Sequence, residues 1–296
     1  MCIRDRLITF VKIVQMESFS QAAADLGYSQ SAVTVQIRLL EEELNTRLFD
    51  RLGKRISLTA QGQHFLTYAY NILNEVNRAK LSLEDESELT NPLHIGTIES
   101  LCFSKFPPIL HYFREHHPKV AVRVTTASPE ELIEMMEHNQ LDLIYILDEP
   151  RYNNNWHKAM ECREEVVFVS STSFPLSDRK HLHLEELLSE PFFLTEKNAN
   201  YRRALDQYLA SKEMILSPFL EISNTEFIIK MIQENRGLSL LPRFAVEESA
   251  GQDQLAILDV EDFHTSMYRQ IFYHKDKWKT KEMDEFIRLA KEDMGK

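Results

Sequence analysis

Hydrogen-bonding side chains cluster around residue 30, at the start of a helical pattern. Ser29 can cap a helix that begins at Gln30, because a serine oxygen accepts hydrogen bonds from the unpaired amides of a first turn. Apolar residues recur at spacings of three and four from Val33 to Leu44, which predicts one buried face. The opposite face carries Gln30, Ser31, Thr34 and Arg38. Glutamine and arginine at the start of such a helix can pair with base edges, so this face suits the major groove of DNA.

A second helix and a tight turn would hold this face in position. Ser18 to Ser20 open a helical stretch over 21–26, and Gly27 stops it just before the cap at Ser29. Two short helices joined by a glycine-containing turn form a helix-turn-helix. Any helical hairpin shows polar residues on its outer face, however, so the pattern alone leaves DNA binding and a plain solvated surface equally open.

The stretch after the two helices favours DNA. Residues 48–59 are predicted to form a short hairpin with Gly53, Lys54 and Arg55 at its tip, and such a basic wing suits phosphates or a minor groove. The net charge of −12 is no objection. Residues 1–60 hold eight Lys or Arg against seven Asp or Glu, which places the acidity outside this candidate DNA-binding head.

Composition excludes several classes of protein. Apolar residues make up 43% and charged residues 27% of the 296 residues, which is typical of a folded protein of two or three modules. No apolar run is long enough to span a membrane, and Cys2, Cys102 and Cys162 lack the spacing of a zinc site or disulfide framework. We therefore expect a cytoplasmic protein with no membrane partner, metal or cofactor. The first six residues precede an amphipathic start at Leu7 and are assigned no role.

A long helix is predicted from Ala60 to about residue 86. Thr59 can cap it, and at 1.5 Å per residue it would extend on the order of 40 Å. Its apolar seam comprises Phe65, Ala69, Ile72, Val76, Ala79 and Leu83. We expect this seam to join two chains, since a protein with one recognition helix gains from binding two half-sites. Packing against another domain of the same chain is the alternative.

Strands and helices alternate beyond a polar hinge over 84–91. Strands are predicted over 93–98, 120–125 and 141–147, with helices between them, and this alternation indicates a parallel sheet with helical crossovers. A second group of strands and helices follows over 165–241.

Hydroxyl and amide side chains follow the predicted strands. In α/β sheets a ligand lies outside the carboxyl ends of the strands, where helix N-termini offer free amides. The candidates for ligand contact are Thr97, Ser100, Thr126, Ser128, Thr195, Asn198, Asn224 and Thr225. These residue types also favour caps and turns, so each candidate has a purely structural alternative.

A set of short motifs runs through residues 7–65. They are SFSQAA at 18–23, SQSAVT at 29–34, QI at 36–37, LE at 40–41, LF at 48–49 and LTAQG at 58–62. With these motifs the stretch closely resembles the LysR-type transcriptional regulators. In that family these segments form the DNA-binding head, which implies further contacts from Gln36, Arg51 and Arg55. Ser29 and Lys54 complete the predicted contact set. Val35 and Leu39 depart from the polar or basic residues that the family has on this helix, and Val35 could touch a thymine methyl.

The remainder resembles the effector-binding domain of the same family, with DL at 142–143 and GLSLLP at 237–242. The resemblance implies two α/β subdomains of periplasmic-binding-protein type with a small-molecule effector between them. The expected domains are a winged helix-turn-helix over 1–60, a linker helix and hinge over 61–91, and an effector-binding domain over 92–296. Subdomain I would comprise 92–163 and 267–296, and subdomain II 164–266. The expected assembly is a homodimer or homotetramer on double-stranded DNA, with RNA polymerase as a further partner.

No enzyme signature competes with this interpretation. The seven glycines form no phosphate-binding loop or nucleophile elbow, and H-E-x-x-H is absent. His111 with Glu115, and His181 with His183, fit a solvated surface better than a metal site. Cys102 lies close to the predicted cleft and is a candidate redox site without an evident partner cysteine. The alternative function is a solute-binding or enzymatic α/β protein with an incidental helical N-terminus.

Overall fold

The computed structural model describes residues 2–16, 18–52, 55–81, 88–234 and 237–293. The chain folds as two compact units that divide near residue 88. Among the described helices, none is long and apolar enough to cross a bilayer.

Helices and a β-hairpin build the N-terminal unit, here called the head. Its elements are α1 (Ile3–Met16), α2 (Phe19–Leu26), α3 (Gln30–Glu43), β1 (Phe49–Leu52), β2 (Arg55–Leu58) and α4 (Ala60–Leu81). The Ser18 hydroxyl caps α2 by accepting from the Gln21 amide (3.3 Å), and Thr59 caps α4 by accepting from the Gly62 amide (2.9 Å). Gly27 ends α2 in the left-handed region (φ 69°), where glycine meets no steric cost.

An aromatic centre fixes the hairpin and α4 against α1. The fully buried Phe10 ring lies 5.3 Å from the Phe49 ring and 5.5 Å from the Phe65 ring, measured between centroids. Aromatic pairs at this separation stabilise a core beyond their buried area. Gly62 is required where α4 passes the hairpin, because a Cβ there would lie 2.1 Å from the Leu48 carbonyl oxygen. The hairpin is therefore fixed to both the first helix and the fourth.

Helix α1 begins earlier than the sequence suggested. It starts at Ile3 instead of Leu7, and the Arg6 guanidinium pairs with the Glu43 carboxylate at the end of α3 (2.5 Å). The expectation that the first six residues have no role is therefore wrong for residues 3–6, since Arg6 joins α1 to α3.

The predicted seam of α4 lies in two different environments. Phe65 packs against the core of the head and Ala69 is fully buried there, so these two positions do not face a second chain. Ile72 is 45% exposed and Val76 is half-buried. The Ala79 side chain and the whole of Leu83 lie outside the described residues.

An exposed stripe of α4 runs beside the predicted seam. It comprises His64, Tyr68 and Ile72, which are spaced four residues apart and therefore share one side of the helix. The His64 and Tyr68 rings contact each other edge to face, with centroids 5.2 Å apart. The side of α4 that remains open for a partner is thus rotated from Phe65 and Ala69 toward Tyr68.

Residues 88–137 and 141–293 form the second unit. Its first elements are β3 (Leu93–Thr97), α5 (Glu99–Ser104), α6 (Phe106–His116), β4 (Val122–Thr126), α7 (Pro129–Glu137), β5 (Leu143–Asp148) and β6 (Trp156–Ser171). Then follow α8 (Leu184–Leu187), β7 (Phe193–Leu194), α9 (Asn200–Ser211), β8 (Leu220–Glu221), α10 (Thr225–Glu234) and β9 (Leu238–Pro242). The last are α11 (Arg243–Gly251), β10 (Leu255–Ile257), β11 (Thr265–His274) and α12 (Lys281–Glu292).

The main sheet of this unit is mixed. Strands β4, β3 and β5 lie side by side in parallel, as the alternating pattern predicts. β11 then pairs antiparallel with β5 on one side and with β6 on the other. The parallel arrangement was predicted only for these first three strands. β11 adds the antiparallel pairs because it returns to the first group of strands from the far end of the chain.

Strand β6 takes part in both halves of the unit. Its residues up to Val166 pair with β11, whereas Val166 to Ser171 pair antiparallel with β9 and β10. The short strands β7 and β8 pair in parallel beside β9. This change of partner supports subdomain boundaries near 163/164 and 266/267, which we keep as a proposal.

The start of the second unit is held by α12. The buried Glu282 carboxylate accepts hydrogen bonds from the backbone amides of Thr90 (3.0 Å) and Asn91 (2.9 Å). Arg269 on β11 is also buried, and it pairs with Glu164 on β6 and with Asp293 (2.7 Å). These charged contacts fix β3, β6 and β11 relative to α12.

Candidate DNA-binding face and ligand cleft

The first turns of α3 present a polar face. Ser29 caps the helix by accepting from the Ala32 amide (3.2 Å), and its oxygen lies 3.0 Å from that of Ser31. Gln30 accepts from the Ser20 hydroxyl (3.0 Å) across the turn. Exposed amide and hydroxyl groups are thus held at the end of the helix that approaches bases in this motif.

The next turns of this face mix charge with apolar groups. Thr34 donates to the Gln30 carbonyl (2.9 Å), and the Arg38 guanidinium, 66% exposed, lies 3.6 Å from Glu42. Val35 and Leu39 are 43% and 39% exposed on the same helix. Because an exposed pair of this type gains little energy, Arg38 can exchange Glu42 for a phosphate or a guanine.

Gln36 lies on the opposite side of α3. It is 1% exposed, and its oxygen accepts from the Thr9 hydroxyl on α1 (2.6 Å). A DNA contact from Gln36 is therefore not compatible with this fold, although the family resemblance implied one. The side chains of Arg51 and Arg55, and the whole of Lys54, lie outside the described residues, so their DNA contacts stay predictions.

Six of the eight predicted ligand-contact residues line one cavity of about 420 Å³ in the second unit. These six are Ser100, Thr126, Ser128, Thr195, Asn198 and Thr225. They follow the carboxyl ends of β3, β4, β7 and β8, where helices α5, α7, α9 and α10 begin. The volume is within the range of small-molecule pockets, roughly 300–1,000 Å³. Ligand contacts from these residues remain a prediction that this arrangement supports.

Thr97 and Asn224 do not line the cavity. Thr97 is fully buried and donates to the Tyr145 carbonyl on the adjacent strand (2.8 Å). Asn224 caps α10 by accepting from the Phe227 amide (2.7 Å). For these two residues the structural alternative holds, since the Thr97 hydroxyl bonds to a neighbouring strand and the Asn224 side chain caps its own helix.

Sequence reasoning missed other residues that line the cavity. They are Ile98, Glu99, Ala127, Pro129, Glu131, Leu147, Glu196, Ala199, Asn200, Tyr201 and Ser223. Asn200 opens α9 and donates to Asp148 at the end of β5 (2.5 Å), which joins the two sides of the cavity. The Glu99 carboxylate joins them again by accepting from the Thr225 amide (2.9 Å). The sequence indicated strands and helices over this stretch, but the proximity of Asn200 to Asp148 was not visible in it.

Burial shifts the pKa of Tyr201, which lines this cavity, and of Asp148, which accepts a hydrogen bond from the lining residue Asn200. It raises the pKa of the Asp148 carboxyl, and the adjacent Arg151 guanidinium opposes that shift. Burial also raises the pKa of the Tyr201 hydroxyl, which therefore stays protonated and able to donate near neutral pH.

Other candidate sites are weaker. A second cavity of about 680 Å³ lies along β6, away from the parallel strand ends, and its Arg243 is paired with Glu165 (2.9 Å). Burial raises the pKa of the Cys102 thiol and Glu99 adds to the effect, which lowers its reactivity. The His111 and Glu115 pair is largely solvated, and no cluster suited to a metal ion occurs in the part of the chain that the structure describes.

A helix-turn-helix with a polar outer face, together with an α/β unit that holds a cleft, defines a DNA-binding regulator with its own small-molecule domain. Residues 5–63 match the model of the bacterial regulatory helix-turn-helix protein, lysR family, and residues 86–295 match that of the LysR substrate binding domain. The chain belongs to the LysR family of transcriptional regulators, as the sequence resemblance predicted. Members of this family bind DNA and effectors, form oligomers and are regulators, not enzymes.

Several relatives resemble the chain over nearly its whole length. The uncharacterized HTH-type transcriptional regulator YwqM of Bacillus subtilis is 31% identical over 287 residues, covering 97% of each chain. The regulator SoxR of an Arthrobacter species is 27% identical and covers 95% of this chain and 94% of its own. A full-length OxyR variant from Pseudomonas aeruginosa has a TM-score of 0.77 at 18% identity, covering 98% and 95% of the two chains. That similarity concerns the fold.

Proposed function

We propose that this regulator binds operator DNA as a dimer through the first turns of α3 and the wing, and that a small molecule in the cleft controls that binding. The proposed contacts are Ser29, Gln30, Ser31, Thr34, Arg38, Arg51, Lys54 and Arg55. The observation that carries the proposal is the exposed polar face of α3, whose buried face packs into the core of the head.

Each side chain of that face has a separate task. Gln30 and Arg38 carry the groups that pair bidentately with adenine and guanine edges. Ser29 and Ser31 offer hydroxyls for phosphates, which position a protein on the duplex. Val35 is exposed and supplies an apolar contact for a thymine methyl. A polar side chain at this position would instead need a hydrogen-bonding group on the base.

The test is selection of bound sequences from random duplex DNA by the full-length chain. We expect an interrupted palindrome for the unaltered protein and its loss, or a weakening of about 1–3 kcal/mol, for Arg38→Ala. Arg114→Ala is the matched control, because Arg114 is an exposed arginine of α6 outside the head. Failure of the unaltered protein to enrich any sequence at low salt would support the solute-binding alternative instead.

Dimerisation is proposed through the exposed stripe of α4 and the positions that continue it. Tyr68 and Ile72 are 53% and 45% exposed, which is unusual for large apolar side chains on a helix of this length. We expect Ile72→Lys to shift the protein toward monomers in sedimentation experiments. Gln63→Lys adds the same charge on the opposite side of α4 and should leave the dimer intact. Equal dimer fractions for both variants would exclude this face.

The proposal also covers assembly and location. Pairing of two dimers into a homotetramer would bring further heads onto one operator, and light scattering of the purified chain measures that mass directly. We place the protein in the cytoplasm, where it meets DNA and contacts RNA polymerase at regulated promoters. Transcription reconstituted from purified components tests the polymerase contact, since an effect that requires only DNA occupancy would persist with an unrelated polymerase.

A further inference from the structure

The cleft between the two subdomains has an acidic side. Three glutamates line it, namely Glu99, Glu131 and Glu196, and no Lys, Arg or His does so among the described residues. A set of carboxylates without a cation is electrostatically unfavourable in a partly enclosed space. A ligand that carries a positive group would relieve that repulsion.

The three carboxylates differ in what they already bind. Glu99 accepts from the Thr225 amide (2.9 Å), and Glu131 accepts from the Ser128 amide (3.1 Å) and hydroxyl (2.9 Å). The Glu196 carboxylate has no hydrogen bond or ion pair with any residue that the structure describes. Glu196 is therefore the free acceptor on this side of the cleft.

The start of α9 favours a negatively charged ligand group instead. This helix of 12 residues has Ala199 at its N-cap, and that position provides no side-chain cap, so the first amides of α9 keep their hydrogen-bonding capacity. The amides and the helix dipole together favour an anion. Helix α7 and helix α10 differ, since Ser128 and Asn224 cap them.

A buried hydroxyl points to the same place. Thr195 is 4% exposed, lines the cavity, and its hydroxyl oxygen makes no hydrogen bond of standard geometry within the described residues. A buried hydroxyl without a partner is costly, and a ligand oxygen would satisfy it. The protonated Tyr201 hydroxyl lines the same side and can donate as well.

The nearest guanidinium does not serve the ligand. Arg202 is 2% exposed, donates to the Thr195 carbonyl (3.1 Å), and pairs with Asp206 (2.9 Å). Its charge holds the end of β7 in place and is balanced by its own partner. An anion in the cleft must therefore be bound by amides and hydroxyls.

We infer that the cleft binds a small zwitterion, a free amino acid, with its carboxylate at the start of α9 beside Thr195 and its ammonium group facing Glu196. This assignment rests on the proposed function, because it names the effector class of the proposed regulatory site. A purely anionic ligand would leave Glu196 opposed to it, and a purely cationic ligand would leave the α9 amides and Thr195 unsatisfied.

The experiment is a calorimetric titration of the full-length protein with the standard set of free L-amino acids. Each binder is then compared with the carboxylic acid that lacks its amine and the amine that lacks its carboxylate. We expect at least one amino acid to bind, and both truncated analogues to bind roughly tenfold to 100-fold more weakly. Absence of binding by the whole set, or equal binding of the analogue without an amine, overturns the inference.

Variants of the cleft show where the ammonium group and the carboxylate of the amino acid bind. Glu196→Gln should weaken the amino acid roughly tenfold and leave the analogue without an amine unchanged, because only the ammonium contact is lost. Glu185→Gln on α8 is the matched control, since Glu185 is exposed and does not line the cleft. Thr195→Val should weaken the amino acid and the analogue without an amine alike, and Thr195→Ser should restore both. Identical affinities for Glu196→Gln and Glu185→Gln contradict the ammonium site.

The DNA selection is run on the same protein preparations without added ligand. A chain that selects an operator but binds no amino acid retains the proposed function and loses this inference. A chain that binds an amino acid but selects no DNA loses the proposed function and retains the zwitterion site. The two failures are therefore distinguishable.

Discussion

The head and the cleft hold their functional groups in opposite ways. On α3 the bonds join neighbours in sequence, as when Ser29 caps the Ala32 amide and Thr34 bonds to the Gln30 carbonyl. In the cleft the bonds span the chain, since Glu99 and Thr225 are 126 residues apart. A surface that approaches DNA can thus be specified by one helix, whereas a ligand site depends on how distant strands meet.

The two regions also differ in how exposed their functional side chains are. The polar face of α3 is exposed and its side chains can exchange partners, as Arg38 can leave Glu42. The cleft instead buries Thr195 and holds Asn200 against Asp148. Substitutions should therefore separate the two regions, and each prediction that follows measures how complete that separation is.

The largest effect is expected for Phe10→Ala in the core of the head. Removing the ring leaves a cavity between Phe49 and Phe65 and should cost about 3–5 kcal/mol of unfolding free energy. Calorimetry should show a lowered transition for the head and an unchanged one for residues 88–293. A single transition that moves as a whole would mean that the two units do not unfold independently.

A comparable loss is expected in the second unit for Arg269→Met. Burial raises the pKa of the Glu164 carboxyl and the Arg269 guanidinium opposes that shift, so the variant should raise the pKa further. At neutral pH the unpaired buried carboxylate should cost about 3–5 kcal/mol.

The stability deficit of Arg269→Met should depend on pH in a definite direction. A carboxyl whose pKa is higher in the folded chain stabilises the fold at low pH and loses that contribution as pH rises through its folded value. The deficit of Arg269→Met should therefore shrink from about pH 7 to about pH 5 in urea unfolding. Arg288→Met removes an exposed arginine paired with Glu285 and should cost about 0–1 kcal/mol at either pH. A deficit independent of pH would contradict the assigned partner.

The sequence predicted the features that depend on residues close together in the chain. A serine cap within 18–20, the cap at Ser29, the stop at Gly27 and the apolar stripe of α3 are local signals. All of them appear in the structure, with Ser18 as the first cap. Six of eight cleft residues were found because helix starts and strand ends follow a general rule of α/β sheets.

The remaining features depend on contacts between distant residues. The burial of Gln36 requires knowing that α1 brings Thr9 against it, and the burial of Ala69 requires knowing that α4 packs on the head. The antiparallel return of β11 pairs residues that are 99 to 128 positions apart in the chain. No periodicity in the chain encodes those pairings.

Gln36 itself provides a smaller test. Thr9→Val would leave the buried Gln36 amide without its partner and should cost about 1–3 kcal/mol, while Thr9→Val with Gln36→Leu should recover most of the loss. Urea unfolding measures both. Operator affinity of the double variant should stay within about twofold of the unaltered chain; a tenfold loss, about 1.4 kcal/mol, would return Gln36 to the DNA interface.

The smallest effect is expected at the cap of α3. Ser29→Ala removes the acceptor for the Ala32 amide and should lower the stability of the head by about 1 kcal/mol. Ser31→Ala, two residues along, removes a hydroxyl that caps no amide and should change thermal stability far less. Equal shifts in melting temperature would mean that the cap does not hold this helix start.

The most direct test of the central claim is a repeat of the DNA selection with Gln30→Ala. If the first turn of α3 contacts bases, the preference should relax at one symmetric position in each half-site, with a loss of about 1–3 kcal/mol there and the other positions unchanged. A consensus identical to that of the unaltered protein would show that this turn does not read the sequence, and the account of the head would be wrong.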